Sequence, residues 1–313
     1  MGLLLHLTDR NEETWAAALR ARLPGYPVYL RGDSFDRADI HYVFVWKPAA
    51  DTFDNLPNLK AILSLGAGVD GLLRHPRLPN LPIVRFVDDE LSQCMADYVV
   101  AQVSMHQRLF TQYKADQKAR RWKQHYPSAA TTIRVGIMGL GVIGLRTIEA
   151  LRPLGYGLRG WSRTRKTVEG VDCFAGAEEF DAFLAETDIL VALLPLTPET
   201  EGILNFETFS KLRRGPLIGG PVIVNAARGG HSREVDIVRA LGDGTLGAAS
   251  LDVFEVEPLP AESPLWALDN CYITPHIAAI SNERTGAAYF GKVILDHEAG
   301  KPLPHVVDVA RGY

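Results

Sequence analysis

Side chains capable of acid, base and anion-binding chemistry follow three successive apolar runs in the second half of the chain. They are Arg228, the acids Asp252 and Glu257, and His276. Apolar runs separated by helical stretches indicate parallel strands, and open parallel sheets bind ligands at the carboxyl ends of their strands. We therefore expect these side chains to face one crevice.

A glycine-rich segment precedes them and indicates what else that crevice holds. An apolar run, Ile133–Met138, leads into a Gly-x-Gly-x-x-Gly pattern, and a helical pattern follows it. In this context the three glycines suit a tight turn, close backbone approach to a pyrophosphate and close packing of helix on strand. The predicted dinucleotide contacts are Gly139, Leu140, Gly141, Val142, Ile143 and Gly144.

The residues after the next predicted strand, Leu158–Trp161, indicate which dinucleotide is bound. An NAD site carries an acid at this point to bind the ribose hydroxyls. This chain has hydroxyl and basic side chains instead, which suit a 2′-phosphate. They are Ser162, Arg163, Thr164, Arg165 and Lys166. A solvated basic turn is the alternative, but the motif dictates the position, so we predict NADP(H) and count the first four as cofactor contacts.

Taken singly, each candidate catalytic residue also has a simpler interpretation. An arginine after a strand is often part of a surface ion pair, and a histidine in Thr-Pro-His is often a turn residue. Glu257 precedes a proline and could be solvated. Together, at these positions behind a dinucleotide fingerprint, the residues favour a functional site over three unrelated structural roles.

The elements that must position these residues form two groups. Five apolar runs precede residue 90 and six follow residue 130. Helical stretches alternate with these runs, which predicts two parallel α/β sheets in a chain of 313 residues. The stretch from 91 to 128 between them reads as a linker helix followed by an exposed arm. A surface helix and a dimerisation arm are both compatible with that segment.

Composition narrows the class of protein. The 47% apolar fraction is ordinary for a globular chain, and the net charge of −4 argues against a general nucleic-acid or anionic-membrane binder. Three cysteines, Cys94, Cys173 and Cys271, are too few and too far apart for a disulfide framework or a zinc site. We expect no metal, no membrane segment and a cytoplasmic location.

At this point the chain resembles the D-2-hydroxyacid dehydrogenase family along nearly its full length, and most closely the branch that reduces glyoxylate and hydroxypyruvate. The matching motifs stand in the family's order and spacing. They are Ser64–Asp70, Gly139–Gly144, Trp161–Lys166, Ala227–Gly229, Asp252–Pro260, Thr274–Ala278 and Ala310–Tyr313.

The resemblance implies a fold that contiguous reading could not supply. The expected architecture is α/β with two doubly wound parallel-sheet domains, a Rossmann NADP-binding domain being inserted in a flavodoxin-like substrate domain. Residues 1–98 and 279–313 would form the substrate domain, and residues 99–278 the dinucleotide-binding domain. The active site would lie in the cleft between them.

The resemblance also implies roles for single residues. Arg228 would hold the carboxylate of a 2-oxo acid and polarise its ketone oxygen, and His276 would donate the proton after hydride transfer. Glu257 would orient the imidazole ring and favour its protonated form. Asp252 would contact the nicotinamide amide, and Ala226 and Ala227 would be further cofactor contacts. Substrate contacts are implied at Trp46, Ala67 and Gly68, although core packing is nearly as good an explanation for the tryptophan.

The expected activity is NADPH-dependent reduction of glyoxylate to glycolate and of hydroxypyruvate to D-glycerate, by a homodimer. Two alternatives remain open. One is an NAD-linked lactate or phosphoglycerate type of the same family, which the residues at 162–166 disfavour. The other is a regulator that senses a dinucleotide without turnover, which the presence of arginine, glutamate and histidine together disfavours.

Overall fold

The computed structural model describes residues 1–217 and 219–313, which divide into two compact units. The first contains Met1–Leu91 and Ile280–Tyr313, and the second contains Ser92–Ala279. The boundary set from the sequence at 98/99 and this division at 91/92 both fall within one helix, Asp89–Gln107. At the other end the two divisions differ by one residue.

The structure assigns the following regular elements among the described residues. The strands are β1 Gly2–Leu7, β2 Val28–Leu30, β3 Ile40–Trp46, β4 Ala61–Ser64, β5 Ile83–Arg85, β6 Arg134–Met138, β7 Gly157–Ser162, β8 Val171–Ala175, β9 Ile189–Ala192, β10 Val222–Asn225, β11 Ala248–Leu251 and β12 Cys271–Ile273. The α-helices are α1 Glu12–Arg22, α2 Asp70–Leu73, α3 Asp89–Gln107, α4 Phe110–Lys118, α5 Val142–Leu151, α6 Phe180–Ala185, α7 Phe206–Ser210, α8 Glu234–Asp243 and α9 Glu283–Glu298.

The first unit is built on a parallel sheet in the order β2-β1-β3-β4-β5. This is the flavodoxin-like order. Helix α9 returns from the far end of the chain and completes its core. The ring of Phe290 lies 4.7 Å from that of Phe44 on β3, and Phe44 in turn lies 5.4 Å from Trp15 on α1. These rings are almost wholly buried, so residues far apart in sequence share one apolar core.

The second unit contains a parallel sheet in the order β12-β11-β10-β9-β6-β7-β8. Counted from β6, the order around the centre is the 3-2-1-4-5-6 of the Rossmann fold, with β12 added at one edge. Buried aliphatic residues pack on both faces of this sheet. One of the clusters they form contains Val135, Ile189 and Val224. Eleven strands were predicted from apolar runs, and the strand that was missed is β8.

The segment at 108–128, called the arm below, follows α3 in the second unit and contains α4. Leu109, with φ of 64°, separates α3 from α4. Asp116 is buried at the end of α4, and its carboxylate accepts hydrogen bonds from Arg121 Nε at 2.9 Å and His125 Nε2 at 2.6 Å. Contacts with the rest of the unit add to these, since Lys118 pairs with Asp269 and the Ser128 hydroxyl donates to the Pro216 carbonyl, although the ring of Trp122 is fully exposed.

Candidate active site

The glycine-rich loop follows β6, and its geometry gives each glycine a separate reason. Gly139 has φ of +103°, which glycine adopts without strain. A Cβ on Gly144 would lie 1.9 Å from the Gly139 carbonyl oxygen, so only glycine allows α5 to pack this closely. A Cβ on Gly141 would meet no atom within 4 Å, which leaves room for a pyrophosphate at the N-terminus of α5. The loop therefore fits a dinucleotide.

In the glycine-rich loop, the side chain and the main chain of Leu140 have different environments. Leu140 is 1% exposed, and its side chain packs into the core, so that only its main chain faces the loop surface. Lys166 Nζ donates to the Leu140 carbonyl at 2.6 Å. This bond ties the basic turn after β7 to the glycine-rich loop. Val142 is exposed and Ile143 half-buried at the start of α5.

The side chains of the turn after β7 differ in their contacts and in their exposure. Arg165 donates to the carbonyl of Cys173 at 2.7 Å and forms a close ion pair with Glu179. Ser162 is buried, and its hydroxyl donates to the Thr164 carbonyl at 2.9 Å. Arg163 is exposed. The turn is thus held in shape by its serine and by Arg165, and Arg163 extends from it.

Carboxylates stand close to both arginines of this turn. The pKa of Glu179 lies below its ordinary value, first because the Ala175 N–H binds it and then because Arg165 does. The pKa of Glu199 is also lowered, mainly by the hydroxyl of Thr197, with the positive charge of Arg163 adding to the effect. The local positive field is therefore smaller than three cations alone would produce.

His276 and Glu257 form a hydrogen-bonded pair at the carboxyl edge of the same sheet. His276 Nδ1 lies 2.8 Å from Glu257 Oε2, and the two side chains are 39% and 30% exposed. Because a carboxylate only accepts, Nδ1 carries the proton of this bond and Nε2 is the nitrogen available to a substrate. His276 has φ of 55°, in the left-handed region that a non-glycine residue rarely adopts.

Asp252 follows β11 and is 1% exposed. Its carboxylate accepts hydrogen bonds from the backbone N–H groups of Ile277 and Ala278, both at 2.9 Å, and from the hydroxyl of Thr274 at 2.6 Å. Its carbonyl accepts from the His276 N–H at 2.8 Å. The predicted nicotinamide contact therefore also organises the turn that carries the histidine.

Arg228 lies two residues after Ala226, on a turn shaped by Asn225 at the end of β10. The Asn225 amide donates to the Arg228 carbonyl at 3.0 Å, and its oxygen accepts from the Ala227 N–H at 3.1 Å. Asn225 is fully buried, Ala226 and Ala227 are nearly so, and Arg228 is half-buried. The asparagine thus sets the direction in which the chain leaves the strand.

Gly229 joins the arginine turn to the turn that carries the glutamate. A Cβ at Gly229 would lie 1.8 Å from the carbonyl oxygen of Phe254. The Phe254 N–H in turn donates to Glu257 Oε1 at 3.1 Å. An unbroken series of contacts therefore runs from the neighbour of Arg228 through Phe254 and Glu257 to His276.

The remaining candidates, Trp46, Ala67 and Gly68, belong to the first unit, at the ends of β3 and β4. A Cβ on Gly66 would lie 2.8 Å from the Trp46 ring, so the indole packs directly on the loop that contains Ala67 and Gly68. Arg10 lies over the same ring, 5.8 Å from its centroid. The structure brings these candidates together within their own unit.

Two kinds of feature are missing from the part of the chain that the structure describes. Residues 1–217 and 219–313 contain no group of three or more His, Cys, Asp or Glu side chains that could hold a metal ion. Within the same residues, no helix has the length and apolar character needed to cross a membrane.

Sequence reasoning did not identify three residues that shape the site. Asn225 and Glu179 carry no motif, and Lys166 was noticed only as part of a basic run. Asn225 could have been suspected, because a polar residue ends an otherwise apolar run there. Glu179 gave no such signal, since its partner Arg165 is 14 residues away and on the far side of β8.

Comparisons with known proteins agree with this architecture. Residues 100–278 match the family described as D-isomer specific 2-hydroxyacid dehydrogenase, NAD binding domain. The glyoxylate/hydroxypyruvate reductase A of Escherichia fergusonii is 40% identical over 321 residues, with 100% of both chains covered.

Solved structures are similar over the whole chain. A D-isomer specific 2-hydroxyacid dehydrogenase from Xanthobacter autotrophicus, in complex with NADPH and MES, has a TM-score of 0.95 and 42% identity, covering 100% of this chain and 99% of that one. An NADPH-dependent glyoxylate/hydroxypyruvate reductase from Sinorhizobium meliloti, in complex with NADP and sulfate, has a TM-score of 0.94 and 44% identity with the same coverage. The chain belongs to the D-isomer specific 2-hydroxyacid dehydrogenase family.

Proposed function

We propose that this protein reduces small 2-oxo acids with NADPH, converting glyoxylate to glycolate and hydroxypyruvate to D-glycerate. The hydrogen-bonded pair of His276 and Glu257, 2.8 Å apart at the sheet edge that also carries the glycine-rich loop, is the observation that supports this most directly. Relatives named as glyoxylate/hydroxypyruvate reductases, similar over the full length, support the same substrate class.

The reaction needs an anion-binding group and a proton donor beside the reacting carbonyl. When bound, NADPH supplies the hydride that reduces the carbonyl carbon. Arg228 binds the substrate carboxylate and stabilises the negative charge that develops on the carbonyl oxygen. His276 Nε2 then donates the proton that completes the alcohol, and Glu257 fixes the ring through Nδ1 and stabilises the imidazolium.

The cofactor preference rests on the turn after β7. No acid stands at the position that binds the ribose hydroxyls in NAD enzymes, and Ser162, Arg163 and Thr164 occupy it instead. We assign the charge contacts with the 2′-phosphate to Arg163 and Arg165, the second of which also forms an ion pair with Glu179. Asp252 has acceptor capacity left on Oδ2, which suits the nicotinamide amide.

The loop after β4 is proposed to bind the substrate carboxylate through the backbone N–H groups of Ala67 and Gly68. The Trp46 ring packed on Gly66 would keep these groups in a fixed direction. Trp46 would also form an apolar wall that favours small substrates. These assignments rest on the resemblance and on the packing within the first unit.

We further propose that the protein is a cytoplasmic homodimer through its Rossmann domains, in which the segment at 101–128, including the arm, forms part of the contact between copies. The arm exposes Phe110, Trp122 and Tyr126, which are 57%, 102% and 83% exposed. Large aromatic side chains are enriched in interfaces and seldom cluster on a free surface. The cysteines are free, which suits a reducing compartment.

A substrate panel tests the proposed activity. Glyoxylate, hydroxypyruvate, pyruvate and 3-phosphohydroxypyruvate would each be incubated with NADPH and, separately, with NADH, and oxidation of the cofactor followed at its absorbance maximum. We expect the highest kcat/KM for glyoxylate or hydroxypyruvate with NADPH. Equal turnover with both cofactors, or no turnover with any of these acids, would contradict the proposal.

A further inference from the structure

A series of hydroxyl groups leads from helix α3 to the carboxylate of Asp252. Tyr98 Oη lies 2.8 Å from Thr274 Oγ1, which lies 2.6 Å from Asp252 Oδ1. A threonine hydroxyl has a single proton, and the carboxylate can only accept, so Thr274 donates to Asp252. Tyr98 must then be the donor in its bond with Thr274. The direction of both hydrogen bonds is fixed by the chemistry of the end group.

Asp252 holds the turn around His276 from two sides. Its carbonyl binds the N–H of His276, and its carboxylate binds the N–H groups of the next two residues. His276 itself has the left-handed φ of 55°, a conformation that persists only where surrounding contacts impose it. The hydrogen bonds of Asp252 are therefore what keep the imidazole of His276 directed toward its position beside Glu257.

We propose that Tyr98 is a positioning residue for the proton donor. Its hydroxyl donates to Thr274 Oγ1 and holds that side chain where its own proton reaches Asp252, and Asp252 in turn fixes the turn that carries His276. The proposal rests on the function proposed above. Helix α3 contains none of the family motifs found in the sequence. Under this proposal, a residue of α3 nevertheless affects the rate of the chemical step.

The surroundings of Tyr98 suit this role. The side chain is half-buried and packs against the core of the second unit, which limits the access of water to the bond. Burial raises the pKa of Tyr98 to about 12; the hydrogen bond with Thr274 lowers this pKa and the negative charge of Asp252 raises it, and burial is the largest of the three effects. The phenol therefore stays protonated, and stays a donor, across the pH range of an activity assay.

Tyr98→Phe removes the donor and keeps the ring, and the chain offers a matched control. Tyr272 lies in the same unit and also bonds a threonine, Thr111, at 3.2 Å, but that pair does not reach Asp252. We expect Tyr98→Phe to lower kcat by about three- to tenfold, the range for one hydrogen bond of ordinary net strength. The Kd of NADPH should change less than about twofold, and Tyr272→Phe should leave kcat unchanged.

Substitutions at Thr274 test whether the two hydrogen bonds act as one series. Thr274→Val breaks the series, and Thr274→Ser restores the hydroxyl. We expect Thr274→Ser to recover most of the kcat that Thr274→Val loses. Adding Tyr98→Phe to Thr274→Val should lower kcat no further, because the bond it removes no longer reaches Asp252.

Several results would overturn this role for Tyr98. They are additive losses of kcat in the double variant, equal kcat for the valine and serine variants, equal effects of Tyr98→Phe and the Tyr272→Phe control, and a loss confined to NADPH affinity. If Tyr98→Phe does not fold, the comparison of Thr274→Val with Thr274→Ser still tests the proposal. An unmodified enzyme without turnover would instead refute the proposed function, so the two failures are distinct.

Discussion

The contact between Gly229 and Phe254 makes a prediction whose magnitude follows from geometry. A Cβ at Gly229 would lie 1.8 Å from the Phe254 carbonyl oxygen, and real Cβ atoms essentially never come within 3.0 Å of another heavy atom. Gly229→Ala must therefore separate the two turns by at least about 1.2 Å. The groups in contact are both backbone, so no side-chain rotation can relieve the clash.

This displacement separates Arg228 from the pair of Glu257 and His276. A misplacement of about 1 Å in a catalytic group can cost about a hundredfold in rate. We therefore expect Gly229→Ala to lower kcat/KM for glyoxylate and hydroxypyruvate by about a hundredfold. The Kd of NADPH, measured by cofactor fluorescence, should change little, because the glycine-rich loop after β6 is not involved.

A second glycine in the same unit serves as the control. Gly242 lies near the end of α8, and a Cβ there would meet no atom within 4 Å. Gly242→Ala should keep full activity and raise the free energy of unfolding by about 0.5–1 kcal/mol, because alanine loses less backbone entropy in a helix. If Gly229→Ala kept kcat/KM within about threefold of the unmodified enzyme, the idea that this contact positions Arg228 would be wrong.

Five further expectations concern other parts of the molecule. Arg163→Ala should raise the KM for NADPH by about tenfold or more and leave that for NADH nearly unchanged, because a charge-assisted contact with the 2′-phosphate is lost; equal changes for both cofactors would contradict this assignment. His276→Ala should abolish at least about 99% of turnover while NADPH still binds. Glu257→Gln should lower kcat while NADPH still binds, because an amide stabilises the imidazolium less than a carboxylate does; an unchanged kcat would refute the role of Glu257. Trp122→Ala should shift the protein toward monomer in light scattering at micromolar concentration, whereas a monomeric unmodified protein would exclude the proposed dimer. Burial lowers the pKa of His106 from 6.5 to about 4, so the unfolded chain takes up this proton first as pH falls. The free energy of unfolding should therefore drop by about 3 kcal/mol from near pH 6.5 to near pH 4. His106→Gln should flatten that slope in urea titrations, and an unchanged slope would contradict the attribution to His106.

Much of the fold could be predicted from local pattern, and the strand that was missed shows where pattern fails. Strands such as β9 and β10 are buried on both faces and appear as continuous apolar runs. β8 is an edge strand with the sequence Val-Asp-Cys-Phe-Ala, and most of its residues are only half-buried. Asp172 interrupts the apolar residues of this short strand, so β8 lacks the continuous apolar run by which the buried strands were recognised.

The return of the chain to its first unit could not be predicted from periodicity. The pairing of Phe290 with Phe44 is a contact between residues separated by most of the sequence, and no local pattern encodes it. Only the resemblance to a known family indicated the domain organisation. Because such long-range contacts decide which unit a segment joins, segments with similar local sequence patterns can belong to different units.

The candidate site was predictable as a set of residues but not as a set of bonds. Arg228, Glu257 and His276 were identified because each follows a strand. The contacts that fix them come from Asn225 and Phe254, which offer no chemistry of their own. Arg165 shows the opposite case: its charge suggested a phosphate contact, and the structure adds a carboxylate partner that no sequence pattern indicated.

The divided first unit has a consequence for how the protein is made. During synthesis the ribosome releases β1 to β5 well before α9, so the aromatic face formed by Trp15, Phe44 and Phe86 has no partner until Phe290 emerges. The second unit is continuous in sequence and can fold before the first unit is complete. The nascent chain therefore carries an incomplete apolar core until α9, which is translated after the whole second unit, completes it.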